Sequence, residues 1–278
     1  MITSSKNEKI KNITALLSSK KERDKQGLFV IEGLRIFQDT LKTAPGFIKD
    51  IYVSESFIKE HPEESILIEN TGSIRIITVK DSVFNSISQT VTPQGILCTV
   101  KKPEHTLEEI LNGESVIQER TQKKTDGEKN KDFKILVLEN IQDPGNLGTM
   151  LRTAEAAGVS GIIMSRDCAD IYNPKVIRST MGSVFRMPFV YVHDFTDALR
   201  SIKEHGITVY AAYLHGGESV SGVQFDKKCA IMIGNEGNGL TDGAVAEADR
   251  RVFIPMAGQI ESLNAAVAAA ILMYHGIS

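Results

Sequence analysis

The stretch ILVLENIQDPGNLGTMLRTA, residues 135–154, decides the fold prediction. Its first four residues are apolar and predict a buried strand, and the polar loop that follows contains Pro144 and Gly145, which interrupt regular structure. A helix is then expected from about residue 147 to residue 157, with Asn146 in the N-cap position and Gly158 as the terminating residue. Such a junction of strand, loop and helix is where α/β proteins build sites for small ligands.

Two later stretches repeat this arrangement. The apolar run that ends at Ile233 leads into GNEGNGL, residues 234–240, and the run that ends at Ile254 leads into PMAGQIESLNAAV, residues 255–267. The glycine-rich loop has neither the Gly-x-Gly-x-x-Gly spacing nor a Gly-Lys-Ser/Thr, so a dinucleotide or nucleoside triphosphate site is disfavoured. In the last stretch, Ser262 or Asn264 is the expected cap of an alanine-rich helix that reaches about Tyr274.

In this order the three stretches resemble the signature motifs of the SpoU-type (TrmH-like) RNA 2′-O-ribose methyltransferases of the SPOUT superfamily. The resemblance implies an α/β catalytic domain with a parallel sheet and a deep trefoil knot that binds S-adenosyl-L-methionine. The implied catalytic residues are Asn146, Arg152, Glu236, Ser262 and Asn264. The implied cofactor-binding residues are Ala212, Gly234, Asn235, Gly237, Ile254, Pro255, Met256 and Leu263.

Each implied role has a plainer alternative. A lone arginine on a helix usually forms a surface ion pair, and a glutamate in a glycine loop can be an ordinary turn residue. By resemblance, Arg152 engages the target ribose and the adjacent phosphate, Asn146 helps to hold that arrangement, and Glu236 orients neighbouring donors. Because a guanidinium stays protonated in proteins, we interpret Arg152 as an orienting and charge-stabilising group and leave the general base open.

The first 100 residues predict a smaller α/β module. Residues 1–25 hold seven basic and three acidic side chains, and Ile10, Ile13, Leu16 and Leu17 recur at helical spacing, which indicates an amphipathic helix with a basic face. Such a face can be merely solvated. The segments KKERDK (20–25), FVIEG (29–33) and TPQG (92–95), however, resemble the substrate-binding domain that precedes many SpoU-type catalytic domains. The RNA-binding candidates are Lys20, Lys21, Arg23, Arg178 and Ser179.

The expected domain organisation has three parts. An RNA substrate-binding domain covers residues 1–103, a flexible linker covers 104–131, and the methyltransferase domain covers 132–278. Residues 114–131 are almost devoid of apolar side chains and cannot offset the entropy of ordering, which predicts flexibility.

Composition narrows the class of protein without naming a function. The net charge is −3 and the pI about 6.1, so RNA affinity must come from local basic patches. The three cysteines fit neither a disulfide framework nor a metal site, and no metal is expected. No secretory signal or membrane span is predicted, so a cytoplasmic protein is expected.

The function predicted from the resemblance is methylation of a ribose 2′-hydroxyl in structured RNA, most plausibly ribosomal RNA, by a homodimer. The apolar terminal helix favours the dimer, although burial within its own domain would also explain that composition. Two related alternatives are a tRNA enzyme and a methyltransferase that confers resistance to ribosome-targeting antibiotics. A third alternative is a non-catalytic RNA-binding or ribosome-assembly factor.

Overall fold

The computed structural model describes residues 1–69, 72, 74–113 and 133–275. The chain forms two compact units. The N-terminal unit comprises Met1–Pro103 together with Asp170–Phe185, and the C-terminal unit comprises Glu104–Ala169 together with Arg186–Ser278. The expected limits differ from these units in two places. Residues 104–113, expected in the linker, belong to the C-terminal unit, and residues 170–185, expected in the catalytic domain, belong to the N-terminal unit; residues 114–131 lie outside the described residues.

The N-terminal unit is built on a four-stranded sheet with the order β1-β4-β2-β3. Strand β4 is antiparallel to β1 and β2, whereas β2 and β3 are parallel. The strands are β1 Leu28–Glu32, β2 Ile48–Ser54, β3 Arg75–Val79 and β4 Ile96–Lys101. The helices outside residues 170–185 are Glu8–Ser18, Lys20–Gln26, Leu34–Thr43, Glu55–Glu60, Pro62–Glu69 and Asp81–Ile87. The smaller α/β module predicted for the first 100 residues is therefore confirmed.

The basic N-terminal segment forms two helices instead of one. Ser19 separates them, since its backbone N–H closes the first helix on the carbonyl of Ala15 and its hydroxyl accepts from the N–H of Glu22 in the second. Of the four apolar residues at helical spacing, Ile10, Ile13 and Leu16 are buried, and Leu17 is half-buried and packs against the same core cluster. A serine that caps two helices lets the chain turn without leaving backbone groups unpaired.

Residues 170–185 are held in the N-terminal unit by a buried ion pair and an aromatic cluster. The Nε of Arg23 donates to Asp170 at 2.9 Å, and the Tyr172 hydroxyl donates to the carbonyl of Pro103 at 2.9 Å. The ring of Phe29 lies 4.8 Å from that of Tyr172 and 5.8 Å from that of Phe185. This segment includes the helix Pro174–Thr180, in which Pro174 is the first residue and which Asn173 caps.

The C-terminal unit contains a seven-stranded sheet in which every described pairing is parallel, with the order β7-β6-β5-β10-β8-β11-β9. The strands are β5 Phe133–Leu138, β6 Gly161–Ser165, β7 Phe189–Val192, β8 Thr208–Ala212, β9 Glu218–Ser219, β10 Lys228–Ile233 and β11 Arg250–Phe253. The helices are Leu107–Asn112, Pro144–Ala156, Phe195–Glu204, Asp242–Glu247 and Ala265–Tyr274. The predicted α/β fold with a parallel sheet and a smaller N-terminal α/β domain is confirmed.

Strand order places two of the three predicted motifs side by side. The central strands β5 and β10 are adjacent, with Leu138 opposite Ile233 at their carboxyl ends. From β5 the chain continues outward to β6 on one side, while β10 lies on the other, so this edge is a topological switch point. The residues that follow Leu138 and Ile233 must therefore meet at one edge of the sheet.

Two predictions from composition can be compared with the structure. The three cysteines are buried and form no disulfide, as expected for structural thiols. None of the helices in the described ranges is long and apolar enough to cross a membrane.

Candidate active site

Asn146 lies at the centre of a hydrogen-bond chain that joins the three motifs. Its Nδ2 donates to Glu236 Oε1 at 3.0 Å, and its Oδ1 accepts from Asn264 Nδ2 at 2.9 Å. The partners fix both amide orientations. An ionised carboxylate can only accept, and Asn264 Oδ1 already accepts from the backbone N–H groups of Ala266 and Val267. The chain Glu236–Asn146–Asn264 therefore has one consistent arrangement of donors and acceptors.

Asn146 is available for this role because another residue caps its helix. Asp143 occupies the N-cap position, its Oδ1 accepts from the N–H of Asn146 at 2.8 Å, and Pro144 is the first helical residue. The expectation that Asn146 occupies the N-cap position is thus wrong by three residues. The rest of the helix follows the prediction, since Leu147, Met150 and Leu151 are fully buried and Gly158 adopts a left-handed conformation.

Glu236 connects the glycine loop to the start of this helix. Its carboxylate accepts from the backbone N–H of Gln142 at 3.2 Å and of Asp143 at 3.1 Å, in addition to the Asn146 amide. Partial desolvation opposes ionisation, but these hydrogen bonds outweigh it and hold the pKa of Glu236 below its ordinary value. The charged carboxylate fixes Gln142 and Asp143, which precede the helix that carries Asn146, and the orienting role implied for Glu236 stays a prediction.

Arg152 lies on the same helix but outside the hydrogen-bond chain. It is exposed, and within the part of the protein that the structure describes it has no hydrogen bond or ion pair. It follows Asn146 by six residues, which rotates it about 120° around the helix axis. The ordinary surface ion pair that was the alternative is therefore absent among the described residues, and the catalytic role of Arg152 stays a prediction.

An open cavity of about 480 Å³ lies beside the carboxyl ends of β8 and β11. Four of the predicted cofactor-binding residues line it, namely Ala212, Ile254, Met256 and Leu263, and so does Ser262. The cavity is also lined by Tyr213, Leu214, Phe253 and Glu261, which the sequence motifs did not indicate. Tyr213 and Leu214 come directly after Ala212 at the end of β8. This position next to a predicted cofactor-binding residue was the one sequence signal that could have identified them.

The lining of this cavity suits a cationic ligand with an apolar ring. Its walls are mainly apolar side chains and loop backbone, and Glu261 is the one ionisable carboxylate among the lining residues, which include neither lysine nor arginine. A polyphosphate would find no cationic side chain on this lining, whereas the sulfonium and ammonium groups of S-adenosylmethionine would have the Glu261 carboxylate as a counter-charge. The residues present therefore fit this cofactor. No cluster of three or more His, Cys, Asp or Glu able to hold a metal occurs in the described ranges.

Comparison with known proteins identifies the family. The sequence model of the SpoU rRNA methylase family matches residues 134–274, which is half of the chain, and that of the MRM3-like substrate-binding domain matches residues 7–98. This chain belongs to the SpoU rRNA methylase family. The resemblance proposed from the three motifs is therefore confirmed.

Individual relatives align over nearly the full length. The 23S rRNA (guanosine(2553)-2′-O)-methyltransferase RlmP of Bacillus subtilis is 34% identical over 99% of this chain and 98% of its own. The AdoMet-bound rRNA methyltransferase of Sinorhizobium meliloti has a TM-score of 0.79 at 29% identity, covering 99% of this chain and 95% of its own. The SpoU methyltransferase AviRb of Streptomyces viridochromogenes, in complex with the cofactor AdoMet, has a TM-score of 0.78 at 25% identity, covering 97% of both chains.

The glycine loop is shaped mainly by its own contacts. A Cβ at Gly234 would lie 2.2 Å from backbone atoms of Gly239 and Leu240, so glycine is required for the loop to close on itself. The Asn235 side chain accepts from the N–H groups of Gly237 and Asn238 and donates to the carbonyl of Asn140. Gly234, Asn235, Gly237 and Pro255 are not among the residues that line the cavity, so their predicted contact with the cofactor stays a prediction.

Glu139 was missed by the sequence analysis. It is 5% exposed, and its carboxylate accepts from the backbone N–H and the hydroxyl of Thr241 at 2.8 and 2.7 Å. It thereby fixes the far end of the glycine loop to the end of β5. A charged residue directly after a fully apolar strand was the signal that could have found it.

The predicted RNA-binding residues fall into two groups. Lys20, Lys21 and Arg178 are exposed, and Ser179 is half-buried with its hydroxyl donating to backbone carbonyls of its own helix. Arg23 must be corrected. It is 3% exposed, and its guanidinium is bound by Asp170 and by the carbonyl of Leu16. Its charge is satisfied inside the N-terminal unit and is not presented to a phosphate.

Proposed function

We propose that this chain is an enzyme that transfers a methyl group from S-adenosyl-L-methionine to a ribose 2′-hydroxyl of ribosomal RNA. The observation that carries the proposal is the hydrogen-bond chain Glu236–Asn146–Asn264, which joins the three family motifs at one edge of the sheet. A non-catalytic binding protein would not require three polar side chains at motif positions to be oriented by mutual hydrogen bonds next to this cavity. The three relatives named above support both the reaction and the substrate class.

The protein's own residues bind and align the reactants. S-adenosylmethionine supplies an activated methyl group, so the protein's main task is to place the ribose oxygen in line with it and to help remove the hydroxyl proton. The cavity walls hold the cofactor, and the Ser262 hydroxyl lies on the cavity lining next to Leu263. Glu236 and Asn146 fix the start of the helix that carries Arg152, whose guanidinium orients the target phosphate and stabilises developing negative charge.

We assign the substrate to large-subunit ribosomal RNA rather than tRNA. RlmP is named for 23S rRNA, and a curated relative from Streptomyces viridochromogenes, 27% identical over 98% of this chain, is named as a 23S rRNA (uridine(2479)-2′-O)-methyltransferase. The N-terminal domain, residues 1–103, would bind the RNA, with Lys20 and Lys21 on its surface. Arg178 and Ser179 are further candidates, and Arg23 serves the fold.

Mapping ribose methylation across total RNA with and without the gene tests this assignment. Loss of one 2′-O-methyl group in large-subunit rRNA is the expected result, and loss in tRNA would favour the alternative. Calorimetry provides a separate test of the cofactor. S-adenosylmethionine and its demethylated product should bind, whereas ATP and NAD should not, and absence of cofactor binding with or without RNA would contradict the enzyme assignment.

The working unit in this proposal is a homodimer located in the cytoplasm, with the C-terminal unit forming a trefoil knot. The terminal helix supports the dimer, because Val267, Ile271 and Tyr274 are 48%, 38% and 48% exposed at positions that share one helix face. Its opposite face is buried through Ala269, Leu272 and their neighbours. Light scattering checks this point, and a fully active monomer would exclude the dimer.

A further inference from the structure

The N-terminal unit contains a second open cavity, of about 530 Å³, and Arg178 is the one of its lining residues that has been given a role so far. It lies between two segments that are distant in sequence. One is the loop after β1 with the helix Leu34–Thr43, and the other is the helix Pro174–Thr180. Both segments belong to the N-terminal unit, where the Arg23–Asp170 ion pair anchors the second.

Two arginines supply the positive charge of this cavity. Arg35 and Arg178 both line it, both are exposed, and neither has a hydrogen bond or ion pair within the described ranges. A planar guanidinium offers paired N–H donors that match phosphate oxygens. These two cations outnumber the one lining carboxylate, that of Glu32, so the cavity lining has a net positive charge and favours an anionic ligand.

The other polar side chains of the cavity are already engaged. The Glu32 carboxylate accepts from the N–H of Gln89 and the hydroxyl of Thr90, both at 2.9 Å, and from the Ser88 hydroxyl. Gln94 Oε1 accepts from the N–H of Leu34 at 2.9 Å. These two residues therefore shape the walls, and the arginines are left to bind a ligand.

The remaining walls are apolar. Ile36, Ile177 and Met181 line the cavity. Met181 ends its helix with a φ of 51°, a left-handed conformation that is uncommon for a residue other than glycine. A small inorganic anion would gain nothing from apolar walls, whereas the flat face of an unstacked nucleobase can pack against them.

We propose that this cavity binds one unpaired nucleotide of the substrate RNA, with its phosphate held by Arg35 and Arg178 and its base against Ile36, Ile177 and Met181. This inference rests on the proposed rRNA substrate and adds a recognition site that binds the RNA but takes no part in methyl transfer. Sequence-selective RNA binding commonly targets bases that are splayed out of helices, since A-form duplexes hide their base edges. The site would thus help to select the RNA region presented to the enzyme.

The test uses the full-length protein and in vitro transcribed 23S rRNA that lacks modifications. Arg35→Ala and Arg178→Ala should each weaken RNA binding about tenfold, since each removes a charge-assisted contact. Each should also lower the slope of log affinity against log salt by about 0.7 to 0.9, the amount expected for one phosphate contact. Lys49→Ala removes an exposed cation elsewhere on the N-terminal unit and is the matched control, with little change expected.

Ile36→Ala tests the base contact separately. It should weaken RNA binding severalfold while leaving the salt slope unchanged, because an apolar contact releases no counterion. In Arg35→Ala, Arg178→Ala and Ile36→Ala the KM for RNA should rise, and kcat and cofactor affinity should remain near their wild-type values. If Arg35→Ala and Arg178→Ala behave like Lys49→Ala, the inference is wrong.

Two further outcomes separate the inference from the function on which it rests. If the wild-type protein binds 23S rRNA but does not methylate it, the proposed function fails even where the arginine variants change the salt slope. If 5′-UMP or inorganic phosphate alone binds with an affinity that the arginine substitutions abolish, while RNA affinity is unaffected, the cavity is a small-anion site and the proposed RNA contact is excluded.

Discussion

Glu236→Gln is the substitution that most directly tests the hydrogen-bond chain at the candidate active site. The change keeps the shape of the side chain and removes its charge. The wild-type carboxylate accepts from the N–H groups of Gln142 and Asp143 and from the Asn146 amide, on both oxygens. A glutamine amide has one oxygen, so at least one of these donors would face an NH₂ group and lose its acceptor.

The expected loss of stability is modest and depends on pH. Hydrogen bonds to a charged group contribute about 1.5–3 kcal/mol each when sheltered, but Glu236 is an exposed residue, so we expect a total of about 1–2 kcal/mol. That corresponds to a Tm lowered by about 2–8 °C for a unit of this size. Desolvation opposes ionisation, but the hydrogen bonds outweigh it and lower the pKa of Glu236 in the folded state. The stabilisation by ionised Glu236 is therefore complete above the pKa in the unfolded chain, about 4.3. It is lost as the pH falls through the lower pKa of the folded state.

Thermal unfolding followed by circular dichroism across a pH series measures this effect. Glu104→Gln is the matched control, since Glu104 is an exposed glutamate of the same unit with no hydrogen bond among the described residues. The difference in Tm between wild type and Glu236→Gln should be largest near neutral pH and should disappear in acid. Methyl transfer by the variant should be at least tenfold lower than that of wild type at neutral pH. A gap that widens in acid, or a variant with wild-type stability and turnover, would refute the reasoning.

Three other predictions follow from the same structure. Arg152→Ala should keep the fold and cofactor affinity but lose nearly all methyl transfer, and Arg152→Lys should not restore it fully, because an ammonium lacks the planar donor fork; turnover assays and calorimetry compare the two. Asp170→Asn should leave the buried Arg23 without its counter-charge and destabilise the N-terminal unit by about 3–5 kcal/mol, an effect that thermal unfolding would detect and that the double change with Arg23→Met should partly reverse. Ile271→Asp should reduce the mass measured by light scattering to that of a monomer, and an unchanged dimer would place the interface elsewhere.

Much of the fold was predictable because local patterns decide it. The strands β1, β4, β5, β8 and β10 are mainly apolar and have Gly, Pro or polar residues next to them, and such runs have few alternatives in an α/β protein. Short helices with little periodicity, such as Glu55–Glu60, were missed. The order of the strands in the sheet could not be predicted, because nothing in the sequences of β5 and β10 indicates that these two strands are neighbours.

Arg23 shows where local reasoning fails at the level of a single side chain. It lies among lysines in a basic segment, and every neighbour in sequence suggests an exposed cation. Its partner Asp170 is 147 residues away, and the two are brought together only by the insertion of residues 170–185 into the N-terminal unit. A buried ion pair is set by tertiary contacts, so charge counts along the chain cannot distinguish it from an RNA-binding side chain.

Asn146 shows the same limit in a different form. An asparagine before an apolar helix can cap that helix or can reach outward to another element, and both uses employ the same side-chain oxygen. The decision depends on Asp143, which caps the helix three residues earlier and accepts from the N–H of Asn146, and on Pro144, which has no N–H to satisfy. Once Asp143 caps the helix, the amide of Asn146 can bridge Glu236 and Asn264, residues that lie 90 and 118 positions away. The motif identifies which residues matter, and the folded chain determines which hydrogen bonds they form.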